Sequence, residues 1–178
     1  MTELAREYGA GLYELAAEEN IREEIHEQLN ALKETFRENP DFLRLLGTHG
    51  IRLEERFSVL DEVLAGRVHP YILNFMKILC ERGAIGAFGD CAAYFHRRFN
   101  DDFGITEANV VTAVPLTQER AEALRKKLEG MSGKKVVLIQ TVDPQLIGGV
   151  CVEMDGRRMD NSIQTQLEQF RRSLTGSF

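Results

Sequence analysis

Residues 100–116 read NDDFGITEANVVTAVPL, and the chain follows different rules on the two sides of Gly104. Beyond it, EANVVTAVPL is rich in valine and alternates, which is the pattern of a half-buried strand. Before it, apolar residues recur three or four apart, the pattern of one helical face. The polar, glycine-bearing NDDFGIT is therefore expected to join two domains, 1–104 and 105–178.

Towards the N-terminus the sequence reads as helix after helix. Leu4, Tyr8, Leu12 and Leu15 recur on the first. Ile21, Ile25, Leu29, Leu32 and Phe36 mark a second, ended by Asn39-Pro40. DFLRLLGTHG predicts a short third helix stopped by Gly47 and Gly50. RLEERFSVLDEVLAG predicts a fourth, with Gly66 as its C-terminal cap. Pro70 suits the first turn of a fifth, HPYILNFMKILCERG, which Gly83 ends. Residues 84–102 predict a sixth with Phe88, Cys91, Phe95 and Phe99 on one side. Six helices joined by short loops make a bundle.

Towards the C-terminus the expected order is strand, helix, strand, strand, strand, helix. Thr117 is the expected N-cap of TQERAEALRKKLEGMSG, and KKVVLIQTV the second strand. GGVCVEMDGRRMD reads as two strands around Asp155-Gly156, the favoured two-residue hairpin turn. NSIQTQLEQFRRSL reads as a closing helix capped by Asp160 or Ser162, its Ile163, Leu167 and Phe170 covering a sheet face. The fold class is α+β: an N-terminal six-helix bundle, then a small mixed β-sheet domain with two helices.

The chain has 178 residues, 43% hydrophobic and 28% charged, which is ordinary globular usage. Its net charge is −6, opposite to the basic field that a nucleic-acid partner requires. The charge is uneven: residues 1–104 hold 12 Lys+Arg against 19 Asp+Glu, and residues 105–178 hold 10 against 9. The acidic helical start shows no signal or transit pattern, and no apolar run approaches the roughly 20 residues that span a bilayer. The reading is a soluble intracellular protein without direct membrane insertion. Cys80, Cys91 and Cys151 lie too far apart for a zinc motif and are read as reduced, buried thiols.

Chemistry-bearing motifs are scarce. LIGGVCVE carries two glycines but no lysine, and it leads into a strand, where a phosphate loop opens a helix. Asp143-Pro144 and Gly148-Gly149 therefore read as a turn with a bulge or close backbone contact. His26, His49, His69 and His96 are dispersed. Asp143, Asp155 and Asp160 each have a turn or cap role, with a carboxylate cluster the alternative. No catalytic residue, metal ligand or cofactor site is assigned. Gly9, Ala10 and Gly11 interrupt a strong helical pattern, at about 1 kcal/mol per interior glycine. Close approach of another helix, from the bundle or from a partner, is the compensation expected.

YGAGLYELA, NPDFLRLL, HPYILNFMKILCERG, NVVTAVPLT, GKKVVLIQTVDPQLIGGVCV and MDNSIQTQLEQF occur in this order along nearly the whole chain. Together they resemble the delta subunit of bacterial F-type ATP synthase, the family of the mitochondrial oligomycin-sensitivity-conferring protein. Gly11, where alanine is expected, and Ala84, where arginine is frequent, depart from the family pattern. The resemblance implies a non-catalytic, cofactor-free stator of a proton-translocating F-type ATP synthase, peripheral on the cytoplasmic face of the plasma membrane. It implies that residues 1–104 bind the N-terminal helices of the alpha subunits, and residues 105–178 the C-terminal segments of the b subunits. It also implies a head-binding groove between the first and fifth helices, with Tyr8, Gly11 and Leu12 facing Asn74, Phe75, Ile78 and Leu79. Two other readings stand beside it: a small enzyme holding a phosphorylated substrate at the Gly148-Gly149 turn, and an unrelated helical adaptor.

Overall fold

A computed structural model describes residues 3–48 and 50–162. The chain divides into two compact units, 1–99 and 100–178. The first holds α1 (Glu3–Glu18), α2 (Arg22–Glu38), α3 (Pro40–Leu46), α4 (Leu53–Leu64), α5 (Pro70–Glu81) and most of α6 (Phe88–Asp102). The second holds β1 (Ile105–Thr112), α7 (Gln118–Ser132), β2 (Lys135–Val142), β3 (Gly149–Met154) and β4 (Arg157–Ser162).

Local chemistry sets the helix ends. Pro40 and Pro70 open α3 and α5, where a proline's missing N–H costs no helical bond. Ala65 takes the cap position of α4, and Gly66 follows at φ +73°. The sixth helix differs from expectation. Residues 85–87 form a 3-10 turn, and the α-helix begins only at Phe88. Gly83 at φ +66° reverses the chain just before, so the segment starts tight.

The core of the helical unit is aromatic and aliphatic. Ile25, Leu29, Leu46, Leu60, Ile72, Met76, Leu79, Ile85, Phe88 and Phe95 are all at most 2% exposed. On α1, however, the residues turned inward are Ala5, Gly9, Leu12, Tyr13 and Ala16. They are mostly small, so α1 sits close to its neighbours. A Cβ on Gly9 would stand 3.0 Å from the Cys91 carbonyl oxygen and 3.1 Å from Tyr94 Cβ, both on α6. Tyr13 meets Phe95 edge to face at 5.0 Å between ring centres.

The second unit is a four-stranded sheet in the order β2-β1-β3-β4. β1 and β2 run parallel, joined through α7, while β1–β3 and β3–β4 are antiparallel. Thr117 caps α7 by accepting the Arg120 N–H, and Gly133 ends it at φ +69°. Asp155 and Gly156 both take positive φ, 50° and 71°, as a two-residue hairpin of primed type demands. The Asp155 carboxylate also accepts the Thr106 hydroxyl at 2.7 Å. One sheet face packs on Leu128 of α7, with Ala108, Val110, Val136, Val152 and Met154 as its core.

β4 continues through Ser162, so Asp160 lies in a strand opposite Cys151 and does not cap a helix. The two-residue turn carries the hairpin further along the chain than the helical pattern allowed. The remainder of the expected closing helix, with Ile163, Leu167 and Phe170, lies outside the described residues.

Candidate functional site

An apolar groove of about 340 Å³ lies between α1 and α5 of the helical unit. Its lining is Glu7, Tyr8, Gly11, Leu12 and Leu15 from α1, and Tyr71, Asn74, Phe75 and Ile78 from α5. Leu12 and Phe75, 6% and 5% exposed, supply apolar surface that the bundle already holds in place. Gly11 is exposed, and a Cβ added there would meet nothing within 4 Å.

Each wall is held by contacts of its own. Gly9 and Tyr13 fix α1 against α6, where Arg98 also lies 5.7 Å over the Tyr13 ring. At the start of α5, His69 Nδ1 accepts the Tyr71 N–H at 3.3 Å. The His69 N–H in turn donates to Gln28 Oε1 on α2 at 2.6 Å. Further along α5, Lys77 pairs with Asp61 of α4 at 2.6 Å. The walls are therefore set before any ligand arrives, which lowers the ordering cost of binding.

The structure brings Tyr8, Gly11, Leu12, Asn74, Phe75 and Ile78 together along this groove. Leu79 is not among the lining; it is fully buried in the bundle core. Glu7, Leu15 and Tyr71 line the groove as well, and the sequence reading missed them. Leu15 was legible, since it belongs to the stripe begun by Leu4 and Tyr8. Tyr71 was hidden by its place in the first turn after Pro70.

Nothing in the groove suits bond-making chemistry. It offers no thiol, imidazole or hydroxyl–base pair, only two phenols, an amide and one carboxylate around an apolar floor. Among the described residues no group of three or more His, Cys, Asp or Glu could hold a metal ion. Cys80, Cys91 and Cys151 are free and buried, and burial, then the nearby Asp90 carboxylate, pushes the Cys91 thiol up to about 11. Its thiolate is suppressed, which is the opposite of an activated nucleophile.

The glycine pair resolves as turn chemistry. The Asp143 carboxylate accepts the Gln145 N–H at 2.9 Å, and its carbonyl accepts the Leu146 N–H at 3.1 Å. Gly149, at φ +90°, opens β3. The hollow beside this turn sets the carboxylates of Asp143 and Glu153 against the single guanidinium of Arg158, an unfavourable balance for a phosphate. Among the described residues no helix is long and apolar enough to cross a membrane.

The family model for the ATP synthase delta (OSCP) subunit matches residues 4–174. The subunit delta of Desulfitobacterium hafniense (strain DSM 10664 / DCB-2) is 30% identical over 97% of this chain and 96% of its own. That of Geobacillus sp. (strain WCH70) is 33% identical over 97% of each chain. That of Gloeobacter violaceus is 30% identical over 97% of this chain and 95% of its own. A chain of the Toxoplasma gondii mitochondrial ATP synthase hexamer superposes with a TM-score of 0.70 at 16% identity, covering 98% of both, so the fold is shared. On this agreement along nearly its whole length, the chain belongs to the ATP synthase delta (OSCP) subunit family.

Proposed function

We propose that this chain, a non-catalytic stator subunit of F-type ATP synthase, ties the catalytic head to the peripheral stalk. The helical unit takes the N-terminal helices of the alpha subunits, and the sheet unit takes the C-terminal segments of the b subunits. The assembled link stands on the cytoplasmic face of the plasma membrane and holds the head still while the proton-driven rotor turns. The observation that carries this reading is the α1/α5 groove: an apolar floor, two aromatic walls and a glycine at the rim. An amphipathic helix presenting residues at i, i+3, i+4 and i+7 fits such a surface.

The test is a titration of the full chain with a peptide of the alpha subunit's N-terminal segment. Gly11→Asp places a carboxylate where free space exists in the unbound protein, so the variant keeps its fold by circular dichroism. On docking, that carboxylate loses water without gaining a partner, and affinity falls about tenfold or more. A folded Gly11→Asp chain that binds the peptide as tightly as the wild type places the docking surface elsewhere.

A further inference from the structure

The two walls of the α1/α5 groove differ in charge. α1 carries four carboxylates, Glu3, Glu7, Glu14 and Glu18, against one cation, Arg6. All four glutamates are exposed. Residues three or four apart are neighbours on a helix surface. Glu3 and Glu7 are four apart, and Gly11 lies four beyond Glu7 and three before Glu14. Leu15 lies four beyond Gly11 and three before Glu18. The glutamates therefore form one stripe beside Gly11 and Leu15, which line the groove, and Glu7 is itself part of the lining. Arg6 is not. Among the described residues none of the four carboxylates is held in an ion pair.

α5 offers nothing to balance them. It lines the groove with Tyr71, Asn74, Phe75 and Ile78, all uncharged. Its one lysine, Lys77, is engaged by Asp61 of α4 at 2.6 Å. Glu3 with Glu7, and Glu14 with Glu18, are like charges at i, i+4, a spacing that weakens a helix. The bundle holds this stripe without a cation of its own to relieve it.

We propose that the groove selects a helix whose apolar stripe is flanked by lysine or arginine on one side only, the side that passes Glu7, Glu14 and Glu18. This selection rests on the groove being the docking site of the alpha subunit's N-terminal helix, and it adds that helix's charge pattern and rotation. An apolar floor alone tolerates a helix rolled about its own axis. Charge along one wall does not, because a rolled helix, or one acidic on this flank, loses its pairs or meets like charge. Glu7 sits in the lining, loses water on docking and gains a cation in exchange. Glu14 and Glu18 stay at the wet rim, where they steer the encounter.

Binding kinetics of the full chain with a peptide of the alpha subunit's N-terminal segment, at low and high salt, test this. Glu14→Gln/Glu18→Gln should slow association several-fold at low salt with little change in dissociation. Glu7→Gln should speed dissociation several-fold. The triple variant Glu7→Gln/Glu14→Gln/Glu18→Gln should lose about tenfold or more in affinity and most of the salt dependence, with the circular dichroism unchanged. Neutralising the peptide's lysines and arginines should weaken its binding to the wild type and leave binding to the triple variant unaffected. Equal affinity and salt dependence in the wild type and the triple variant overturn the proposal and leave the docking reading standing. Tighter binding by the triple variant does the same, since it makes the partner's flank acidic. A peptide that does not bind the wild type overturns both.

Discussion

Gly9 and Gly11 stand two residues apart on α1 and serve opposite sides of it. Gly9 lets α6 approach: a Cβ there would press on the Cys91 carbonyl and on Tyr94 at 3.0–3.1 Å. Gly11 meets nothing and faces the groove. Gly9→Ala is thus expected to lose about 1–3 kcal/mol of stability through overpacking. Gly11→Ala should hold or gain up to about 1 kcal/mol through helix propensity. Urea unfolding of the two variants checks this, and equal destabilisation would remove the distinction between them. Cys91 gives a pH dependence. Its thiol is raised from 9.0 to about 11, so the native state holds a proton that the unfolded chain releases first. That stability is fully present below about pH 9 and is lost as pH rises towards 11. The loss is on the order of 1–3 kcal/mol, and Cys91→Ala should flatten the slope. Identical slopes for wild type and variant between pH 8.5 and 11, roughly the span over which thiols titrate, would contradict the assignment.

Secondary elements were legible wherever a short-range rule acted alone. Asp155-Gly156 specified its hairpin, Pro70 opened α5 and Thr117 capped α7, because each effect involves only neighbouring residues. The misreadings arose where two rules competed. Asp160 has cap chemistry, yet the hairpin register sets it opposite Cys151 and holds it in β4. On α5, Ile72, Phe75, Met76, Leu79 and Cys80 are all buried and Ile78 is half-buried, so the helix is apolar on most of its circumference. Spacing alone could not say which stripe turns to the groove, and Leu79 was placed there when it belongs to the core. On α1, Leu4, Tyr8 and Leu15 of the apolar stripe lie outside the core, which takes Ala5, Gly9 and Ala16 beside Leu12 and Tyr13. The glycines of α7 supply a test at this scale. Gly130 is inside the helix with open space around it, so Gly130→Ala should stabilise by up to about 1 kcal/mol. Gly133 holds φ +69° past its end, so Gly133→Ala should destabilise by about 1–2 kcal/mol. Thermal unfolding of the pair should shift in opposite directions, and a shared direction would contradict this account of how α7 ends.

For the molecule as a whole, the change of pattern at Gly104 and the compact units 1–99 and 100–178 lie within a few residues of each other. α6 runs on to Asp102, so a useful cut spares that helix. The fragment 1–104 should fold alone on its own aromatic core and bind the alpha N-terminal peptide like the full chain. It should not retain the b segment. Retention of b by this fragment would overturn the proposed division of labour while leaving family membership intact. What the sequence could not convey is which surfaces remain open once the bundle has closed, because that depends on packing between helices distant in the chain. The central claim is that one chain joins two partners, and a bridging capture measures it most directly. The alpha N-terminal peptide is immobilised, the full-length chain is added, and the C-terminal segment of b is then offered. The account predicts that b is retained only when the chain is present, and is lost together with the chain when Gly11→Asp is used. Binding of either segment that displaces the other, or capture of b unaffected by Gly11→Asp, would contradict it.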